Sequence, residues 1–380
     1  MDSTIKFLAD LVAIDSVNPS LVPGGAGEQN IARAIAEEMR ANGLEVEVTD
    51  VSPGRPNVIG VLDGRAPGRS LMLCGHVDTV GVAGMKSPFD PVVRDGCLYG
   101  RGAQDMKGGV AAMIGAARIL AQEGGLASGK LIIAAVADEE CASLGAEALV
   151  RRWRADGAVV TEPTGLAIAA AHKGFSWVEI TTAGRAAHGS RPSEGRDAIF
   201  HMGRVLACLE ALDRQLQSRP PHPLLGTASL HASLIDGGRE LSTYPDHCEL
   251  KMERRSICGE PMDIALTEVE AILRRLEEDD PQFEANARFI FGRPPYEIAT
   301  GHELLKLLET TVGQLNPGRG TRRTCATFWC DAAILGHAGI PTVIFGPGGD
   351  GMHGLEEYVR VDEVLACRDA LVELARLYCV

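Results

Sequence analysis

The stretch LMLCGHVDTV, residues 71–80, decides the reading of the fold. Leu71, Met72, Leu73 and Cys74 form an apolar run of the kind that makes a short strand buried on both faces. Gly75 lets the backbone turn, and His76 and Asp78 follow at once. In an open α/β sheet, ligands collect outside the carboxyl ends of the strands. Two residues spaced i and i+2 on an extended chain point the same way. His76 could therefore hold a metal ion while Asp78 orients or shares it. An ordinary strand-end turn has the same local sequence, so the reading depends on whether other apolar runs also end in ligating side chains.

Three more do. Residues 131–137, LIIAAVA, run into Asp138, Glu139 and Glu140. Residues 158–161 end at Glu162, and residues 342–345, TVIF, lead through GPGGDGMHG to His353. Asp105 stands in the glycine-dense segment 97–110 just ahead of a helix over 109–122. Capping alone would explain an aspartate there, and the acids after 137 would also suit the start of a helix. Three carboxylates at one strand end nevertheless repel one another unless a cation lies nearby. His76, Asp105, Glu140, Glu162 and His353 form a mixed N/O set that suits zinc, cobalt or manganese. With one carboxylate shared, five side chains could hold two ions. Glu139, adjacent to a ligand but pointing elsewhere by strand alternation, is then the general base for an attacking water.

The rest of the chain bounds the classes. Its 380 residues suggest two domains, and 45% hydrophobic with 23% charged residues is a soluble globular composition. A formal net charge of −14 without a basic run argues against nucleic acid or an anionic membrane as partner. No apolar run reaches the roughly 20 residues that span a bilayer. The N-terminal residues read as an amphipathic helix (Ile5, Leu8, Leu11, Val12) rather than a secretory signal. Ten scattered cysteines without a Cys-x-x-Cys pair read as free thiols in a reducing cytosol, so a cytoplasmic location is expected. From 175 to 292 the predicted order becomes β-α-β-β-α-β, a ferredoxin-like arrangement inserted into the first domain.

The motifs GHVDTV (75–80), YGRGAQDMKGG (99–109), DEECASLG (138–145), TEPT (161–164), AHGSRP (187–192) and GPGGDGMH (346–353) run from end to end of the chain. It resembles the M20 family of co-catalytic metallopeptidases and amidohydrolases, the group of acetylornithine deacetylase, succinyl-diaminopimelate desuccinylase, aminoacylase and glutamate carboxypeptidase. The resemblance implies a zinc-peptidase-like mixed α/β sheet flanked by helices, over 1–174 and 293–380, with 175–292 as a lid and dimerisation domain. It implies two divalent ions, Zn2+ by preference with Co2+ or Mn2+ as alternatives. One is held by His76, Asp105 and Glu162, and the other by Asp105, Glu140 and His353. Asp105 bridges, Asp78 orients His76, and Glu139 is base and proton shuttle. His188, in GRAAHGSRP, matches the lid histidine that steadies the oxyanion, reaching the other subunit's site in dimeric members. Arg255, in LKMERRSICGE, matches the arginine that binds a substrate carboxylate. An arginine there could equally pair with Glu253 or Glu260, and Arg254 is the competing choice.

Two departures bear on the substrate. Ser242 stands where many members have Asn, three residues before Pro245, and Glu162 stands where peptidases of the family tend to have Asp. Both favour a deacylase acting on a small N-acyl amino acid. The alternatives are a dipeptidase or glutamate-type carboxypeptidase, and a non-catalytic binding homologue, against which the complete ligand set and Glu139 speak.

Overall fold

The computed structural model describes residues 2–315 and 321–380. The chain divides into two compact units, one of Met1–Ala171, Glu297–Cys325 and Cys330–Val380, the other of His172–Tyr296 with Ala326–Trp329.

The first unit is built on a mixed sheet. Its strands run in the order Glu45–Ser52, Arg55–Asp63, Lys130–Val136, Ser70–His76, Gly157–Val160, Thr342–Ile344, Ile168–His172 and Tyr296–Glu297, and Arg323–Ala326 also pairs with Ile168–His172. Ser70–His76 is parallel to both Lys130–Val136 and Gly157–Val160, and Thr342–Ile344 is parallel to Gly157–Val160. These four strands thus share one carboxyl edge. They are buried along nearly their whole length, which explains why they read as unbroken apolar runs rather than alternating ones. Glu45–Ser52 lies at the edge and alternates between exposed and half-buried.

The first strand does not stop at Cys74. It continues through Gly75 to His76, with Gly75 paired to Ala135 and His76 to Val136. Gly75 therefore lies within the strand rather than in a turn, and a Cβ there would sit 2.7 Å from Met106 Cε, so that side chain would have to move aside. The helix Gly108–Gln122 is buried on nearly all sides, and its Ala and Gly content lets it lie close to the sheet. A Cβ on Gly109 would fall 2.1 Å from the Thr161 carbonyl oxygen, so only glycine fits against the residue that precedes Glu162.

The second unit is a four-stranded antiparallel sheet in the order Ser229–Gly237, His247–Ser256, Gly174–Ala183, Glu284–Arg293. Taken in chain order this is 2-3-1-4, the ferredoxin-like pattern. Helices Ala198–Ser218 and Ile264–Asp279 bury Met202, Val205, Val269 and Ile272 against Val178, Ile180, Leu250 and Met252. Asp197 caps the first of these helices by accepting from Phe200 N at 3.0 Å. The short segment 326–329 joins this unit because Trp329 donates its indole N–H to Pro294 O at 3.1 Å and meets Phe175 and His172 edge-on.

Candidate metal centre

The shared carboxyl edge collects the ligating side chains of the first unit. His76 ends its strand. Glu139 and Glu140 follow Lys130–Val136, Glu162 follows Gly157–Val160, and His353 lies on the loop after Thr342–Ile344. Asp105 arrives from the turn before Gly108–Gln122. That helix has Lys107 at its N-cap position, so the Asp105 carboxylate is not used as a cap. Of the acids 138–140, Asp138 accepts from Leu144 N at 3.4 Å at the start of the next helix, Leu144–Arg152, while Glu139 and Glu140 are not used there.

Asp105 divides its two oxygens between the histidines. Oδ1 lies 3.1 Å from His76 Nε2 and Oδ2 lies 3.3 Å from His353 Nε2. Glu162 Oε1 and Glu139 Oε2 lie 3.8 and 3.9 Å from His76 Nε2, and Glu140 Oε2 lies 3.2 Å from His353 Nε2. Among the described residues, two sets place ligand atoms within 4.8 Å of one another: His76 with Glu139 and Glu162, and His76 with Asp105 and Glu140. Distance alone therefore admits Glu139 beside the ligands, whereas the sequence reading keeps it as base.

Asp78 meets His76 through its backbone. The nearest acceptor to His76 Nδ1 is the Asp78 carbonyl, at 3.0 Å, while the carboxylate is 3.7 Å away. A ring N–H given to that carbonyl turns Nε2 toward the acids, where it carries a proton in the metal-free protein and would offer its lone pair to a bound cation. The Asp78 carboxylate instead accepts from the backbone N–H groups of Glu139 and Glu140, at 3.1 and 3.2 Å, and from Asn18 Nδ2 at 2.7 Å. Asn18 also donates to Asp138 at 3.1 Å, which takes a 2.6 Å bond from Arg55. Arg55 in turn is clasped by Glu28 through Nε and Nη2. The sequence reading misses Asn18, Arg55 and Glu28. The one signal is an arginine opening a strand whose centre, residues 58–62, is apolar.

The electrostatics are those of a site short of positive charge. Burial, reinforced by Glu162, Asp331 and Glu140 against the pull of His76, pushes Glu139 well above the usual carboxylate range. Glu162 is raised in the same way, and Glu140 is raised by burial and by Asp105. Burial acts upward on Asp105 too, but hydrogen bonds from His353 and His76 hold it below the ordinary value. Hydrogen bonds to Asp105 and Glu140 lift His353 to about 10. Burial works against the His76 cation, yet Asp105, Glu162 and Glu139 raise its pKa well above normal. Protons on the histidines thus do the work of counter-ions. Four carboxylates and two imidazoles match the charge of two divalent cations, which would displace those protons. Glu140 Oε1, buried with no hydrogen-bond partner among the described residues, fits the same reading.

His188 and Arg255 belong to the second unit. His188 is exposed, with Nδ1 2.8 Å from Ser190 Oγ. Arg254 is fully buried and spends its guanidinium on Glu260 and Glu268. Arg255 gives Nε to Glu253 at 2.6 Å and lies over the Phe175 ring.

Known proteins resemble the chain over its length. The family model described as "Peptidase family M20/M25/M40" matches residues 72–377. An acetylornithine deacetylase of Myxococcus xanthus is 29% identical, over 98% of this chain and 96% of its own. An N-formyl-4-amino-5-aminomethyl-2-methylpyrimidine deformylase of Bacillus subtilis is 28% identical, over 94% and 91%. Among solved structures, aminopeptidase PepT of Bacillus cereus shares the fold with a TM-score of 0.81 at 20% identity, over 98% and 97% of the chains. The YXEP protein of Bacillus subtilis, described as a dinuclear metal-binding M20 peptidase, superposes with a TM-score of 0.71 at 17% identity, over 99% and 97%. With the family model spanning most of the sequence and the fold shared from end to end, the chain belongs to peptidase family M20/M25/M40.

Proposed function

We propose that this M20-family hydrolase cleaves the amide bond of N-acyl amino acids, in the manner of an acetylornithine deacetylase. The observation that carries the reading is the division of the Asp105 oxygens between His76 and His353, at 3.1 and 3.3 Å, with Glu162 and Glu140 beside them. His76, Asp105 and Glu162 would hold one divalent ion, zinc by preference, and Asp105, Glu140 and His353 a second. Bound there, such ions polarise an amide carbonyl and bring the pKa of a water toward neutrality. Glu139 takes the proton of the attacking water and returns it to the leaving amine. Its raised pKa suits both halves of that exchange. Asp78 fixes the backbone of Glu139 and Glu140 and so aims both side chains.

His188 donates to the oxyanion that develops on the former carbonyl. Arg255 receives the substrate carboxylate. Its Nη hydrogens make no hydrogen bond among the described residues, whereas those of Arg254 are spent, which supports Arg255 over its neighbour.

A panel of N-acetyl, N-formyl and N-succinyl amino acids assayed beside dipeptides tests the substrate class. Faster turnover of an N-acyl amino acid than of any dipeptide is expected. The reverse order would make the protein a dipeptidase or carboxypeptidase.

The protein is further proposed to be a cytoplasmic homodimer that pairs through the second unit. Ser229–Gly237 is an outer strand, with Leu234 66% and Ile235 56% exposed, an edge that soluble chains rarely leave uncovered. Light scattering should give twice the chain mass, and a single mass would contradict the pairing.

A further inference from the structure

Glu357 is 1% exposed and lies in neither the proposed ligand set nor the base assignment. It precedes the strand Tyr358–Arg360, which pairs with Cys97–Tyr99 through the register Tyr358 to Tyr99. That pairing sets Glu357 opposite Gly100, whose N–H it accepts on its own carbonyl at 3.0 Å. Its side chain then enters the loop that leads to Asp105.

There both carboxylate oxygens are filled. Oε2 accepts from Arg101 Nη1 at 2.7 Å and from Gly102 N at 3.0 Å. Oε1 accepts from Gln104 N at 2.9 Å and from Asp105 N at 3.0 Å. The backbone at Asp105 and Met106 is non-helical, so the amides there have no carbonyl of a helical ladder to meet. A buried N–H left without an acceptor is costly, so Glu357 supplies what the loop conformation lacks. Arg101, held by the same carboxylate, gives Nη2 to Gly354 O at 2.8 Å, the residue after His353. One buried ion pair therefore ties the loop bearing Asp105 to the segment bearing His353.

We propose that Glu357 is a positioning residue for the metal centre: its four accepted hydrogen bonds fix where Asp105 and His353 stand relative to each other. The proposal rests on the reading of Asp105 as the shared ligand. Glutamine is nearly the same shape, but its amide NH2 would face N–H donors that need an acceptor. Loss of an outer partner of this kind weakens metal binding by about 10–100-fold.

The test is a spectroscopic Co2+ titration of metal-free wild type and Glu357→Gln, with amide hydrogen exchange of residues 100–106 in the same metal-free proteins. Expected are two ions on the wild type, binding to E357Q weaker by about 10–100-fold, and faster exchange at Gly102, Gln104 and Asp105. A merely structural defect lowers the unfolding midpoint without changing the affinity of the folded protein, so equal affinities overturn the proposal. If the wild type takes up no Co2+, the metal reading itself falls. The exchange comparison then decides the clamp, with equal rates overturning it. Should E357Q not fold, Glu357→Asp takes its place. It keeps the charge opposite Arg101, withdraws the oxygens by one methylene, and is expected to act in the same direction.

Discussion

Replacing Glu139 by alanine is expected to lower kcat by about 10²–10⁴-fold while the bound metal stays, the range that a positioned acid–base group contributes. The expectation follows from where Glu139 stands. Its Oε2 is 3.9 Å from His76 Nε2, within the cluster, yet the proposed ligand set assigns two ions to the five other side chains. Its backbone N–H is held by Asp78 at 3.1 Å, so the side chain is aimed independently of any cation. Burial first, and then the neighbouring acids, lift its pKa, so it can hold a proton between the two halves of the reaction. Steady-state kinetics beside elemental analysis of the same preparation check this. Turnover that persists at the wild-type rate would remove Glu139 from the role of base, and loss of metal in step with activity would make it a ligand.

Asp105→Asn is expected to have a different signature, with both metal sites and the activity lost together. An amide offers one oxygen and one NH2, so it cannot present an acceptor to each side as the carboxylate does to His76 and His353. The metal-free protein gives an independent readout. The hydrogen bond to Asp105 is the largest cause of the His353 pKa of about 10. In the variant the imidazole NMR titration should fall toward the ordinary histidine range. An unchanged titration, or one ion still bound tightly, would contradict the sharing of Asp105.

Much of this site is legible in the amino-acid sequence, and for a physical reason. Parallel strands buried on both faces leave unbroken apolar runs, and a polar residue at the end of each run stands out. His76, Glu140 and Glu162 are legible in that way, and His353 through the glycine-rich loop after Thr342–Ile344. The residues that the sequence hides act by holding other residues in place. Glu357 serves four N–H donors, Asn18 bridges Asp78 and Asp138, and Arg55 is shared by Asp138 and Glu28. Such roles depend on which loop amides are left unpaired and on which charged side chains meet from distant parts of the chain, and no spacing encodes either. Gly75 reads as a turn but lies within the strand, because a glycine packed in a strand looks the same in sequence as one required by φ. The assignment of 326–329 to the second unit depends on Trp329 reaching Pro294, a contact between residues 35 apart in the chain.

The measurement closest to the central claim is the metal content of the purified protein by mass spectrometry, before and after dialysis against a chelator, with amide hydrolysis followed in parallel. Two divalent ions per chain, loss of hydrolysis on chelation and its return on adding zinc or cobalt are expected. A protein that binds no divalent ion after reconstitution, or that hydrolyses its substrate equally well without one, would contradict that claim.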